Sequence, residues 1–302
     1  MKNFFWILKW QIRLIASILL SKFRNKENVS ERIIKEISHV VKGKIIDVKP
    51  LGIAKSGNIS YKVKLPHRTV KYFTCFSEKD AKAVKEISNL LQKNGILFPE
   101  VYSVVGKAVV SEWILGKQLQ PIDLLLKPNI LDKFVEYQAK IHKVDLKENM
   151  VLNFSYVDFL ISRFEKETKN ISLAKKVNLN LIKKRKQREY LSICHPDFTF
   201  SNIVLTSNNE LCIIDNETIY FGHDLQYDIM NTKNICFRSN GFLKQKYLSL
   251  YKKYNPLFEY SEDDYDVLLW YVRQVGGNLV VGKKKKAMFF LKQAILLSRS
   301  KE

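Results

Sequence analysis

The stretch Ser192-Ile-Cys-His-Pro-Asp-Phe-Thr-Phe-Ser-Asn-Ile-Val-Leu205, followed by Leu211-Cys-Ile-Ile-Asp-Asn-Glu217, constrains this chain more than any other. Asp197 stands just after His195 and a short loop ahead of Asn202. Two β-branched runs, 203–205 and 211–214, flank a polar turn, which is the pattern of a hairpin. A hairpin closes its ends on each other, so Asn202 and Asp215 are expected side by side with Asp197 next to them. Such a convergence of oxygen-bearing side chains on loop positions suits phosphoryl transfer. One carboxylate would orient an attacking hydroxyl and accept its proton, while an amide and a second carboxylate would hold Mg²⁺ on nucleotide phosphates.

A chain of 302 residues, 46% of them hydrophobic, can build two sub-domains with substantial cores. The charge balance is extreme, with 51 Lys+Arg against 30 Asp+Glu, a net +21. A surplus of that size points to an acidic partner such as anionic lipid, nucleic acid or an anionic substrate, although a Lys-rich background composition also raises it. Cys75, Cys194, Cys212 and Cys236 show no metal-binding spacing, and most lie in apolar runs, which fits buried free thiols in a reducing compartment. Residues 3–23 are strongly apolar, but Lys9 and Arg13 interrupt them, so neither a membrane span nor a signal peptide fits. At 100° per residue Lys2, Lys9, Arg13 and Arg24 share one side and Ile7, Leu8, Ile15, Ile18 and Leu19 the other. This is a basic amphipathic helix suited to an anionic membrane surface, or else to capping the protein's own core; residues 25–30 read as its linker.

From residue 45 the texture changes to short strands over 44–52, 59–65 and 69–76. Between the first two lies a Ser56-Gly57-Asn58 turn, whose backbone N–H groups could face phosphates. Lys71 falls mid-strand between Val70 and Tyr72, an expensive place for a cation without a partner. The helical pattern over 79–92 offers Glu86, and a strand Lys paired to a helix Glu aims a cation at the α/β-phosphates. Two further strands, over 94–102 and 108–116, end at Gly116, and the backbone near Glu112 to Ile114 is a place where an adenine edge could bond. Helical periodicity dominates after Gly116: 130–144, 153–168, 171–190, 229 onward and 265–274, then a flexible Gly276-Gly277 and an apolar helix over 287–297. His142 reads as a packed or capping residue. Lys183 to Lys186 read as a solvated face, and Asp228 as a cap or a brace for the 195–202 loop.

In this order the Ser-Gly-Asn turn, Lys71, Glu86, the 112–116 segment, the His195-x-Asp197-x-x-x-x-Asn202 loop, the Asp215-x-Glu217 strand end and Asp228 resemble the aminoglycoside phosphotransferase and choline kinase branch of the protein-kinase-like superfamily. The match spans roughly residues 45–240. The resemblance implies an α+β, two-lobed protein-kinase-like fold, with a small antiparallel sheet plus helix and a large helical lobe, preceded here by the amphipathic helix. The expected division is 1–30 for that helix and linker, 31–115 for the nucleotide-binding lobe and 116–302 for the catalytic lobe. It also implies ATP and Mg²⁺ in the cleft, with Asp197 as catalytic base, Asn202 and Asp215 as metal ligands, Glu217 as a further acid near the metal, and Lys71 on the phosphates. The phosphate turn carries the single glycine Gly57, and Pro196 stands where glycine is commoner, both departures from the family pattern. A +21 chain repels a polycation, which disfavours an aminoglycoside acceptor. The expected acceptor is therefore a hydroxyl of a small molecule or of a membrane-associated glycan or glycolipid, with the protein peripheral on the cytoplasmic face of the cell membrane and no specific nucleic-acid partner. An inactive kinase-like scaffold is the rival reading. A protein Ser/Thr kinase fits poorly, because no Phe-Gly follows Asp215 and no activation segment is evident.

Overall fold

The structure, a computed structural model, describes residues 31–41, 43–53, 59–127, 129–146, 156–184, 191–237 and 240–301. The 1–30 segment and the Ser56-Gly57-Asn58 turn lie outside them. Helix α1 (Glu31–Val41) lays Ile37, Val40 and Val41 on a five-stranded antiparallel sheet. The sheet is built from β1 (Asp47–Ile53), β2 (Ile59–Lys64), β3 (Thr69–Thr74), β4 (Val101–Val105) and β5 (Ala108–Glu112), in the order β1-β2-β3-β5-β4. Strand β3 is central and covered on both faces. Val70 and Tyr72 point into the core shared with α1, while Phe73 belongs to the larger core under α2 (Glu78–Lys93). Lys71 shares the Phe73 side of the strand, because side chains alternate along it.

Helix α2 starts where the Ser77 hydroxyl accepts from the Asp80 N–H at 3.1 Å. It stops at Asn94 and Gly95, whose φ of +68° suits glycine. Its buried face is Ala81, Val84, Ile87, Ser88 and Leu91.

Gly116 carries the chain into the second lobe. Its φ is +158°, and an added Cβ would meet the Leu205 carbonyl oxygen at 2.4 Å, so glycine permits β6 (Lys117–Gln118) to pair with β8 (Ile203–Leu205). Strand β8 pairs in turn with β9 (Leu211–Ile213). Strands β7 (Ser192–Cys194) and β10 (Tyr220–Gly222) form a separate pair beside it. Helices α3 (Asp123–Leu126), α4 (Ile130–His142), α5 (Tyr156–Thr168), α6 (Leu225–Cys236), α7 (Gly241–Tyr254), α8 (Asp264–Val280) and α9 (Lys284–Arg299) make up most of the rest. The expected long helix over 171–190 is instead two short 3₁₀ segments, Ser172–Lys176 and Leu179–Lys184. The Gly276-Gly277 pair is not a flexible break but lies inside α8. A Cβ on Gly276 would meet Arg163 Nε at 3.2 Å, so the missing side chain lets α5 approach α8 closely.

Candidate active site

The β8–β9 hairpin does what its sequence pattern predicts. Thr206 and Glu210 close the turn, with Thr206 N–H donating to the Glu210 carbonyl at 2.9 Å and Asn209 in the left-handed region. At the open end the Ile214 N–H donates to the Asn202 carbonyl at 2.9 Å. That bond sets Asn202 beside Asp215. The Asn202 amide donates to the Asp197 carbonyl at 2.9 Å, which ties the 197–202 loop into a closed turn.

Lys71 reaches this hairpin from the other lobe. Its ammonium donates to the Ile214 carbonyl at 2.9 Å, to Asp215 Oδ1 at 3.0 Å and to Glu217 Oε2 at 3.3 Å. An ammonium has three donors, and here all are used. The Ser60 hydroxyl donates to the other Glu217 oxygen at 3.2 Å. Burial disfavours a charged Lys71, but the adjoining carboxylates outweigh it and hold the ammonium more strongly protonated than an ordinary lysine. The two carboxylates are pushed apart. Burial raises both, yet Lys71 pulls Asp215 well below the usual carboxylate range, while burial and the neighbouring Asp215 charge push Glu217 up to about 7.

The expected Lys71–Glu86 pair does not form. Glu86 is exposed, on the side of α2 opposite Val84, Ile87, Ser88 and Leu91. The acids that neutralise Lys71 come from the second lobe, where the Asp215-x-Glu217 spacing sends both toward the same ammonium.

Asp197 sits half-buried under a clamp that no motif or spacing announces. Arg273 of α8 donates to Asp197 Oδ1. The same guanidinium donates to the Tyr156 hydroxyl at 3.0 Å, to Asn231 Oδ1 at 2.8 Å and to the Pro196 carbonyl at 3.4 Å. Arg163 of α5 joins it, donating to the Arg273 carbonyl at 3.4 Å with its guanidinium over the Phe159 ring. Beneath the loop, Asp228 Oδ2 accepts from the His195 backbone N–H at 2.7 Å and from His142 Nε2 at 3.0 Å. His142 Nδ1 is left to accept from the Tyr251 hydroxyl at 2.7 Å. Asp228 therefore braces the loop, and Asp224 rather than Asp228 takes the cap position of α6. Thr232, one turn along α6, donates to the Phe198 carbonyl at 3.2 Å, and His195 Nε2–H donates to the Asp215 carbonyl at 2.8 Å. A signal for these braces exists in retrospect: polar residues at i, i+3 and i+4 (Asp228, Asn231, Thr232) in an otherwise buried helix. Arg273 left no such signal, being a lone cation in an apolar helical run.

Between the lobes lies a cleft of about 640 Å³, within the size range of small-molecule sites. Its polar end carries Lys71, Asn202, Asp215 and Glu217, and its apolar end Trp113, Ile114 and Val204, with Glu112 on the rim. Lys62 also lines it, 4.4 Å over the Trp113 ring, a cation the sequence did not single out. Among the described residues no group of three or more His, Cys, Asp and Glu side chains gathers as a metal cage. Asn202, Asp215 and Glu217 are nevertheless hard oxygen donors of the kind Mg²⁺ takes, and that ion ordinarily completes its shell with water and phosphate oxygens.

No family model matches the sequence, and no curated protein matches it. Solved structures do share the fold. Choline kinase LicA from Streptococcus pneumoniae is 17% identical, with 89% of this chain and 99% of that one covered and a TM-score of 0.64. A choline kinase from Cryptosporidium parvum is 15% identical, covering 85% and 89%, with a TM-score of 0.58. A thermostable mutant of aminoglycoside phosphotransferase APH(4)-Ia, in ternary complex with ADP and hygromycin B, is 16% identical, covering 91% and 99%, with a TM-score of 0.59. The chain thus has the two-lobed, protein-kinase-like fold of the aminoglycoside phosphotransferase and choline kinase branch.

Proposed function

We propose that this protein transfers the γ-phosphoryl group of ATP, with Mg²⁺, to a hydroxyl of a small-molecule or membrane-associated glycan or glycolipid acceptor. The observation that carries this reading is the meeting of Lys71, Asn202, Asp215 and Glu217 at one end of the interlobe cleft, one tight turn from Asp197. Asp197 accepts the proton of the attacking hydroxyl, and Arg273 keeps its carboxylate in place. Lys71 shifts from its carboxylate partners onto the nucleotide phosphates, as the strand lysine of such sites does. Asn202 and Asp215, with Glu217 beside them, would hold Mg²⁺, whose positive charge would offset the negative charge of the β- and γ-phosphates. The backbone at 112–114 meets the base edge against Trp113 and Ile114. Glu86 is withdrawn from the nucleotide site.

The acceptor reading rests on charge. The Arg273 guanidinium pairs with Asp197, Arg163 is near enough to feel the Asp197 charge, and the chain carries +21 overall. These charges oppose approach of a polycation and favour a neutral or acidic acceptor. Likeness to the hygromycin B complex supports an aminoglycoside-type acceptor as the second reading. The basic amphipathic pattern of residues 3–23 supports a position at the inner face of the cell membrane. A transfer screen with labelled ATP tests the reading, comparing a membrane glycolipid extract with soluble sugars, choline and aminoglycosides. Label in the first two groups supports it, whereas label in aminoglycosides alone moves the assignment to the second reading.

A further inference from the structure

Helix α9 carries five cations, Lys284, Lys285, Lys286, Lys292 and Arg299, and no acid. At 100° per residue, Lys285, Phe289, Lys292, Leu296 and Arg299 fall within a stripe about 80° wide. All are exposed, and the two large apolar members strongly so, Phe289 at 58% and Leu296 at 61%. The opposite face, with Ala287, Leu291, Ala294 and Ile295, packs into the protein. About 100° round the helix from Phe289, toward the buried face, Phe290 meets Trp270 at 5.3 Å and Tyr271 at 6.2 Å, both half-buried on α8. Lys286 lies 5.9 Å over the Phe290 ring.

Phenylalanine and leucine stand exposed in register two turns apart, flanked by cations. Apolar groups inside a basic stripe match a bilayer interface, where the apolar tips enter the acyl boundary and the cations meet anionic headgroups. No helix among the described residues is long and apolar enough to cross a membrane, so the fit is to lying on the surface. The 3–23 segment is itself basic and is mismatched in charge as an occupant. Nucleic acid would satisfy the lysines but leave Phe289 and Leu296 in water.

We infer that the outer face of α9 is a membrane-docking surface for anionic phospholipid, separate from the interlobe cleft and from the N-terminal segment. Helix α8, against which α9 packs, carries Arg273 to Asp197. Docking through α9 therefore sets the bilayer one helix layer from the catalytic loop.

The test is flotation of the full-length protein with phosphatidylcholine vesicles, with and without phosphatidylglycerol. Two double variants, Phe289→Ser/Leu296→Ser and Lys285→Gln/Lys292→Gln, accompany the wild type. All four positions are exposed, and circular dichroism checks the fold. The expected result is binding only where phosphatidylglycerol is present, weakened about tenfold or more in each double variant. Three results would overturn the inference: no binding by the wild type, binding unchanged in both double variants, or loss in the Gln pair while the Ser pair binds as wild type. The last marks a polyanion site without insertion, such as one for nucleic acid.

Discussion

Lys71 Nζ lies 3.0 Å from Asp215 Oδ1, joining the central strand of one lobe to the hairpin end of the other. Glu217 completes the link at 3.3 Å. A lysine buried to this degree is held by both acids, and removing it leaves the buried Glu217 carboxyl without a cation beside Asp215, which faces the cleft. Lys71→Met should therefore cost about 3 kcal/mol or more of stability and abolish measurable nucleotide binding. Glu86→Ala, on exposed α2, should change stability by less than about 0.5 kcal/mol and leave binding intact. Thermal melts and nucleotide titrations of the two variants read this directly, and a strong effect of Glu86→Ala would restore the helix partner.

Asp228 gathers the His195 backbone, His142 and, through it, Tyr251 under the 195–202 loop. Truncating it strands a buried N–H and an imidazole. Asp228→Ala should lose about 3 kcal/mol, while His142→Gln, which keeps a donor, should lose about half that or less. Urea unfolding with constant m-values checks the ranking.

Arg273 is buried with each of its three guanidinium nitrogens hydrogen-bonded, and Asp197 is its carboxylate partner. Arg273→Met should reduce turnover about 100-fold or more by misplacing Asp197, with ATP affinity changed little, since the guanidinium does not line the interlobe cleft. Arg273→Lys keeps a charge but not the fork, and should recover only part of the rate. Equal losses in ATP affinity and turnover would place Arg273 in the nucleotide site instead.

Glu217 sets a pH dependence on the nucleotide-free protein. Its carboxyl is raised from an ordinary 4.5 to about 7. Folded Glu217 holds its proton where the unfolded chain has lost it, so stability is greatest below about 4.5, declines as pH rises toward 7, and carries the full cost above that. Asp215 is lowered from 3.8 and acts the other way, its contribution being lost only as pH falls below that value. Melting temperature in chelator should fall across the upper window, and Glu217→Gln should flatten the fall. An unchanged slope in that variant would assign the titration elsewhere.

The 195–202 loop and the hairpin were readable in the sequence because their signal is local: short runs, a polar turn and acids at fixed spacing. Lys71 was legible as a buried cation, but its partner was not. Glu86 has the right residue type and lies on the right helix, and only the rotation of α2 excludes it. The clamp on Asp197 joins residues 76 apart in sequence through the packing of α8 against the 195–202 loop and α6, which no spacing rule encodes. The Gly276-Gly277 pair misled for the same reason. Glycine in a helix signals flexibility until the neighbouring helix is known to press on it.

Asp197→Asn tests the central claim most directly, in a single-turnover assay with γ-labelled ATP, Mg²⁺ and whichever acceptor fraction the wild type labels. The amide keeps the shape of the side chain but cannot take a proton. The expected result is nucleotide affinity within about threefold of wild type and transfer lowered about 1,000-fold or more. Undiminished transfer by Asp197→Asn, or a wild type that binds no Mg-ATP, would contradict the account.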